Sequence, residues 1–183
     1  MGRDVAGAPE MTDADRFEAF VREYQDMVFG TAVRLLANPS EAEDIAQTVF
    51  LRAFERFASI ASSPTAAGWL KTVTTNLCLN HLSRYRARWQ FFSESEDVDF
   101  AATVAAPEPM DGIEARSRQE RVERAVQALP DHQRVPLVLF HFEDMTYKEI
   151  AATLGISLAK VKMDIHRGRE ALKRAMSATY ESD

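Results

Sequence analysis

Between Ala42 and Phe57, the residues Ala42, Ile45, Ala46, Val49, Phe50, Ala53, Phe54 and Phe57 recur at steps of three and one. Only an α-helix brings such positions onto one continuous face. A helix with this stripe must be covered, so the chain has to supply other helices. It does so on both sides. Phe17, Phe20, Val21, Tyr24, Met27, Val28 and Leu35 predict an amphipathic helix over 13–36, opened by a capping box of Thr12 and Asp15. Asn38-Pro39 stops it, because proline keeps its predecessor out of the α region. Ser40 with Glu43 predicts a second capping box for the striped helix. A polar loop over 59–64 leads to a long helix, about Thr65 to Trp89, with Trp69, Leu70, Val73, Leu77 and Leu82 inward. Its Thr72–Thr75 stretch is a poor helix former, so tertiary packing must hold it.

The character of the chain changes at residues 91–114. Seven acidic residues (Glu94, Glu96, Asp97, Asp99, Glu108, Asp111 and Glu114) stand there with no Lys or Arg. This composition predicts an acidic linker without stable structure. Helical spacing returns over Ile113–Leu129 (Ile113, Val122, Val126, Leu129). Val135–Phe142 reads as a strand by composition, but Pro136 argues against a central strand and helical neighbours favour a helix. Thr146 and Glu149 form a third capping box, ahead of Ile150, Ala151 and Leu154. Gly155 permits a tight left-handed turn. Ser157 caps a last helix with Val161, Ile165 and Leu172 inward. Helix, Gly-containing turn, helix is the helix-turn-helix pattern. The expected architecture is all-α: a tail over 1–12, a helical domain over 13–90, the acidic linker over 91–114, and a helix-turn-helix domain over 115–178.

The formal net charge is −6, which excludes a uniformly basic nucleic-acid binder. Its distribution tells a different story, since the linker alone accounts for more than that excess. Residues 160–174 hold six basic residues (Lys160, Lys162, Arg167, Arg169, Lys173, Arg174) against Asp164 and Glu170. A helix of that charge can contact phosphates in a major groove, or it can be a solvated basic face. The stretch 69–90 carries Lys71, Arg84, Arg86 and Arg88 with no acid, interleaved with Trp, Tyr, His and Asn. That mixture suits single-stranded nucleic acid, although Trp69 also suits a core. Opposite the apolar stripe of 42–57 lie Asp44, Gln47, Leu51 and Glu55. Leu51 is either an ordinary exposed leucine or the anchor of a protein interface.

Other classes find no support. No apolar run reaches the ~18–20 residues of a membrane helix, and Met1 to Glu10 lacks the apolar core of a secretory signal. The lone Cys78 gives no disulfide framework and fits a reducing cytoplasm. No phosphate-binding glycine loop is present, His81, His132, His141 and His166 lack metal-ligand spacing, and no Ser or Cys sits in a nucleophile motif. The chain is expected to be no enzyme and to need neither metal nor cofactor.

Three blocks together resemble the extracytoplasmic-function (ECF) group of bacterial RNA polymerase sigma factors. RLLANPSEAEDIAQTVFLRAF at 34–54 resembles the polymerase-binding part of sigma region 2. WLKTVTTNLCLNHLSRYRAR at 69–88 resembles its melting and minus-ten recognition part. The segment 129–176, which contains LGISLAKVKMDIHRGRE, resembles region 4. The resemblance implies an initiation factor whose Asp44, Gln47, Phe50 and Leu51 meet core RNA polymerase. It implies that Ser62, Ser63, Lys71, Asn76, Asn80, Arg84 and Arg88 hold the unwound nontemplate strand of the minus-ten element. It further implies that Ser157, Lys160, Lys162, Asp164, His166, Arg167 and Arg169 face the minus-thirty-five duplex. An anti-sigma protein is an implied partner, with no membrane insertion by this chain.

The family's recognition helix commonly reads S-x-G-T-V-K-S-R-L-H-R-A-R. Here residues 157–169 read SLAKVKMDIHRGR, so Ala159-Lys160 and Met163-Asp164 depart from it. A carboxylate can accept from a cytosine amino group, so Asp164 is expected to read a base. Gly168 is expected to weaken the helix by about 1 kcal/mol relative to Ala. The acidic linker would thread toward the active-site cleft as a mimic of the phosphate backbone, or serve as a solvated spacer. A helix-turn-helix regulator acting without polymerase is the alternative function; it leaves Leu51 and the 69–90 helix unexplained.

Overall fold

The computed structural model describes the backbone of residues 12–93 and 114–178, and the side chains of 12–83 and 119–177. Every regular element among the described residues is an α-helix. Of the expected tail over 1–12 and the expected linker over 91–114, residues 1–11 and 94–113 lie outside the described residues; Thr12 caps the first helix, 91–93 continue the helix before the linker, and Glu114 opens the helix after it.

Helix α1 (Asp13–Leu36) opens on the predicted capping box. Thr12 Oγ1 accepts from the Asp15 amide at 3.1 Å, and the Asp15 carboxylate accepts from the Thr12 amide at 2.9 Å. It closes at Ala37, whose left-handed backbone (φ 52°) turns its amide back to the Val33 carbonyl. Helix α2 (Pro39–Glu55) is capped differently from expectation. Asn38 Oδ1 accepts from the Ser40 and Glu41 amides at 3.1 and 3.3 Å, so the Ser40–Glu43 box does not form. Pro39 decides this, because it occupies the first helical position, where no amide is needed, and moves the cap to its predecessor.

Ala42, Ile45, Val49 and Ala53 of α2 are buried against α1 and helix α4 (Ala66–Ser93). The stripe breaks at Phe54, which is 61% exposed and packs edge-to-face with Phe17, ring centroids 5.0 Å apart. Helix α2 ends at Glu55, and a one-turn helix α3 (Phe57–Ile60) occupies the start of the stretch expected to be a loop. Along α4 the buried residues Ala66, Leu70, Thr74 and Cys78 recur every fourth position. Thr74 is the packed threonine that the stretch requires, its hydroxyl donating to the Leu70 carbonyl at 2.7 Å. Burial, with the charge of Glu143 second, pushes the Cys78 thiol up to about 12, so it stays neutral and unreactive.

Four helices follow: α5 (Glu114–Gln127), α6 (Asp131–His141), α7 (Tyr147–Leu154) and α8 (Leu158–Ala178). The ambiguous segment is α6, with Pro136 inside it. Residues 134–139 are all buried, which removes the polar positions that would have shown a helical period. Helix α7 opens on the predicted box: Thr146 Oγ1 accepts from the Glu149 amide at 3.3 Å, and the Glu149 carboxylate accepts from the Thr146 amide at 2.8 Å. Gly155 (φ 65°) makes the turn, and Ser157 Oγ accepts from the Lys160 amide at 3.1 Å to start α8.

Gly168 is more than a weak helix former. A Cβ there would stand 2.8 Å from Leu137 Cδ1 in the buried contact of α6 and α8, whereas one at Gly68 on α4 meets nothing within 4 Å. Gly68→Ala should therefore raise stability by about 0.5–1 kcal/mol through helix propensity. Gly168→Ala should lose that gain, and about 1–2 kcal/mol besides, to overpacking. Chemical denaturation of the two variants checks the contrast.

The two helical regions share a buried cluster, because α1 packs on α2 and α4 and also on α5 and α6. Arg34 of α1 meets the Glu123 carboxylate of α5 with Nε at 2.9 Å from both oxygens, and its guanidinium lies over the Phe142 ring at 4.7 Å. Arg134 of α6 is buried. It donates to the Leu35 carbonyl at 3.3 and 3.4 Å, donates to the Leu129 carbonyl at 2.8 Å, and pairs with Asp131. A cation at the last turn of α1 also complements that helix's dipole. The sequence reading, which treated the regions as tethered, does not foresee this packing.

Candidate functional site

Three surfaces carry the residues singled out from the sequence. The first is the outer face of α2. Asp44 and Gln47 are exposed, Phe50 is half-buried against the core, and Leu51 is 67% exposed. Phe54 lies three positions beyond Leu51 and extends the apolar area on this face. Sequence reasoning missed Phe54 because the stripe assigns it to the core. Ala42, Ala46, Phe50 and Phe54 are spaced by four, so each lies about 40° further round the helix, and exposure rises along the row until Phe54 is out.

The second surface is α4 with the loop before it. Asn76 and Asn80 are exposed, one turn apart, and Ser62 is exposed in the loop. Arg84 and Arg88 follow at the same four-residue spacing, and their side chains lie outside the described residues. Ser63 is engaged locally: its hydroxyl is 2.8 Å from the Thr65 hydroxyl and accepts from the Thr65 amide at 3.2 Å. Lys71 stands apart from this set. At ~100° per residue it lies about 180° around the helix from Asn80. It points instead at the turn between α6 and α7, where Nζ donates to the Phe142 carbonyl and stands 3.9 Å from Glu143.

The third surface is α8. Lys162, His166, Arg167 and Arg169 are exposed, and Met163 is 44% exposed among them. Ser157 serves as the cap of the helix. Arg169 is held back toward α6, its Nε donating to His141 Nε2 at 3.1 Å and its guanidinium lying 5.3 Å from the Phe140 ring centre. Asp164 does not face outward as a base reader would. It is 1% exposed, and the Lys160 ammonium caps its two oxygens at 3.4 and 3.2 Å. The reason is register: Val161, Asp164, Ile165 and Gly168 share the face of α8 that packs on α6. Its charge also reaches His132 of α6, whose pKa burial lowers and Asp164 partly restores. Spacing from Val161 was the available signal, and the chemistry of the side chain obscured it.

Among the described residues, no cluster of His, Cys, Asp and Glu could hold a metal, and no helix is long and apolar enough to cross a membrane.

An all-helical pair of regions, the second a helix-turn-helix with a basic outer face, has the build of a DNA-binding factor, and Leu51 and Phe54 form a separate exposed apolar patch on α2. Comparison with known families gives the class its name. Residues 20–88 match sigma-70 region 2, and residues 119–172 match sigma-70 region 4. The chain is 30% identical over 169 residues to the ECF RNA polymerase sigma factor SigW of Bacillus subtilis, covering 90% of each chain. It is 34% identical over 157 residues to the ECF sigma factor SigE of Mycolicibacterium smegmatis, covering 86% of this chain and 60% of that one. Among solved structures, the sigma factor RpoE of Bartonella quintana, crystallised with the anti-sigma factor NepR, aligns with 88% of this chain and 96% of its own. Its TM-score is 0.48 and its identity 20%. The chain belongs to the ECF group of RNA polymerase sigma factors. It is a non-enzymatic initiation factor that binds core RNA polymerase and directs it to specific promoters.

Proposed function

We propose that the chain divides this work among its three surfaces. The outer face of α2, with Asp44, Gln47 and Leu51 reaching the polymerase and Phe50 supporting them from below, docks on core polymerase. Phe54 enlarges the apolar centre of that dock. The observation that carries this assignment is the exposure of Leu51 beside Asp44 and Gln47, a large apolar side chain ringed by polar ones, as at interface hot spots. Asn76 and Asn80 on α4, continued by Arg84 and Arg88, with Ser62 in the preceding loop, hold the melted nontemplate strand. Amides read the edge of an extruded base, and basic residues follow the backbone. The stand-alone regulator is the second reading, and it gives Leu51 no role. Size-exclusion of the chain with core polymerase, run beside mobility shifts on promoter duplex without polymerase, separates the two. Co-elution with weak duplex binding supports the initiation-factor reading; tight duplex binding without co-elution supports the other.

On α8, Lys162, His166 and Arg167 contact the minus-thirty-five duplex, and Met163 offers an apolar contact to a thymine methyl group. Met163→Ala should change preference at one base pair by about 1–3 kcal/mol. Asp164→Asn should leave preference intact and lower stability by about 1–3 kcal/mol, because it removes the buried partner of Lys160. Binding to a panel of single-base promoter variants, with a denaturation curve for each protein, tests both. The family further implies a cytoplasmic protein held in check by an anti-sigma partner that masks the DNA-binding surfaces.

A further inference from the structure

Exposed basic side chains on α8 fall into two rows. At ~100° per residue, Lys162, Arg169 and Lys173 lie within about 40° of one another, and Arg167 and Arg174 form a second row about 130° away. Met163 and His166 stand between the rows. A helix with its side chains is about 10–12 Å across and the major groove about 12 Å wide. Two such rows can therefore reach the two phosphate backbones while the residues between them meet base edges. Within these rows, among the described residues, only Arg169 is tied to another helix.

Its Nε donates to His141 Nε2 at 3.1 Å, and its guanidinium lies 5.3 Å from the Phe140 ring centre. A guanidinium does not give up its proton, so Nε2 accepts and the imidazole is neutral, with its proton on Nδ1. Burial, and then the charge of Arg169, hold the His141 pKa below its ordinary value, which keeps the ring in that form. A third helix braces the support. Phe140 meets His141 edge-on with ring centroids 5.0 Å apart and stacks on Tyr147 of α7 at 4.7 Å, and Tyr147 packs on the core cluster. His141 and Arg169 are themselves exposed, so folding gains little from the pair. Among the described residues, neither Nη group of Arg169 has a hydrogen-bond partner.

We propose that His141, with the Phe140 ring beside it, is a positioning residue for promoter binding: it holds the Arg169 guanidinium at the flank of α8, leaving the two Nη groups to donate to a phosphate of the minus-thirty-five duplex. The inference rests on the assignment of that duplex to α8. His141 itself touches no DNA and acts through Arg169. An arginine that is already ordered gives up less side-chain freedom when it binds, and its planar fork matches two phosphate oxygens at once. Arg169 is held away from the centre of the outer face, so it contributes affinity without reading sequence. The aromatic and imidazole side chains at the end of α6 thus become part of the binding apparatus of α8.

The test measures binding of the full chain, assembled with core polymerase, to a promoter mapped with the wild-type chain, over a series of salt concentrations. Arg169→Ala should weaken binding about tenfold on every single-base variant of the upstream element and reduce the salt slope by about 1, the loss of one phosphate contact. His141→Leu should weaken it about threefold, equally on every variant and at the wild-type salt slope, because the contact still forms from a disordered arginine. His141→Gln places an amide oxygen near the position of Nε2 and should restore binding. In an Arg169→Ala chain, His141→Leu should change binding by less than about 1.5-fold. Wild-type binding by His141→Leu overturns the proposal. So does an equal loss from His141→Leu with and without Arg169, or failure of His141→Gln to restore binding, since each marks a merely structural histidine. Lys162→Ala and Arg167→Ala separate this from the assignment beneath it. If they weaken binding and Arg169→Ala does not, the positioning role alone fails. If all three bind as wild type, α8 does not hold the duplex, and the proposal falls with that assignment.

Discussion

Leu51→Glu is expected to weaken association with core RNA polymerase about 30- to 100-fold, or about 2–3 kcal/mol, the scale of an interface hot spot. Stability should change by no more than about 0.5 kcal/mol, as for an ordinary surface substitution. Both expectations come from the same fact. Leu51 is two-thirds exposed on α2, so folding gains little from it, and an apolar contact there is worth something only when a partner covers it. Phe50, on the adjoining half-buried position, should behave in the opposite way. Phe50→Ala should cost stability as well as binding, because its ring packs on the core. Fluorescence anisotropy with labelled chain and purified core polymerase, beside thermal unfolding of each variant, measures the pair of effects. If Leu51→Glu bound core polymerase as wild type does, α2 would not be the docking face.

Arg134→Met is expected to lower global stability by about 2–4 kcal/mol, the second large effect. Arg134 is the buried cation that closes the carbonyl end of α1 at Leu35 and the end of α5 at Leu129, with Asp131 as its counter-charge. Methionine fills much of the volume but leaves both carbonyls without their donor. Because one of those carbonyls belongs to region 2 and the other to region 4, the loss should also uncouple the regions. Denaturation followed by helix content should change from one transition toward two. A single transition of wild-type midpoint would mean that the regions do not meet through Arg134 in solution.

The legible parts of this fold were those set by residues close in sequence. The capping boxes at Thr12–Asp15 and Thr146–Glu149 and the Ser157 cap each depend on a side chain and an amide within three positions, and the left-handed turn at Gly155 depends on that residue having no side chain. Asn38 rather than Ser40 caps α2, because Pro39 fixes the first helical position. Periodicity found the amphipathic helices and left α6 ambiguous, since a helix buried over 134–139 has no polar face to display. Asp164 was misplaced because a carboxylate in a basic helix suggests an outward role, while its register with Val161 and Gly168 puts it inside. The joint between the regions was beyond local reasoning altogether. Arg34 and Glu123 are 89 positions apart and Leu35 and Arg134 are 99, and nothing in their neighbourhoods names the partner.

The most direct test of the whole account is reconstitution. Core RNA polymerase, this chain and a library of genomic fragments are combined, and transcript 5′ ends are mapped with and without the chain. The account predicts a discrete set of starts that require the chain and share sequence elements about 10 and 35 base pairs upstream. It predicts that Leu51→Glu abolishes that set and that Met163→Ala shifts its upstream element. Starts indifferent to the chain, or a chain that binds promoter duplex tightly while never associating with core polymerase, would contradict it.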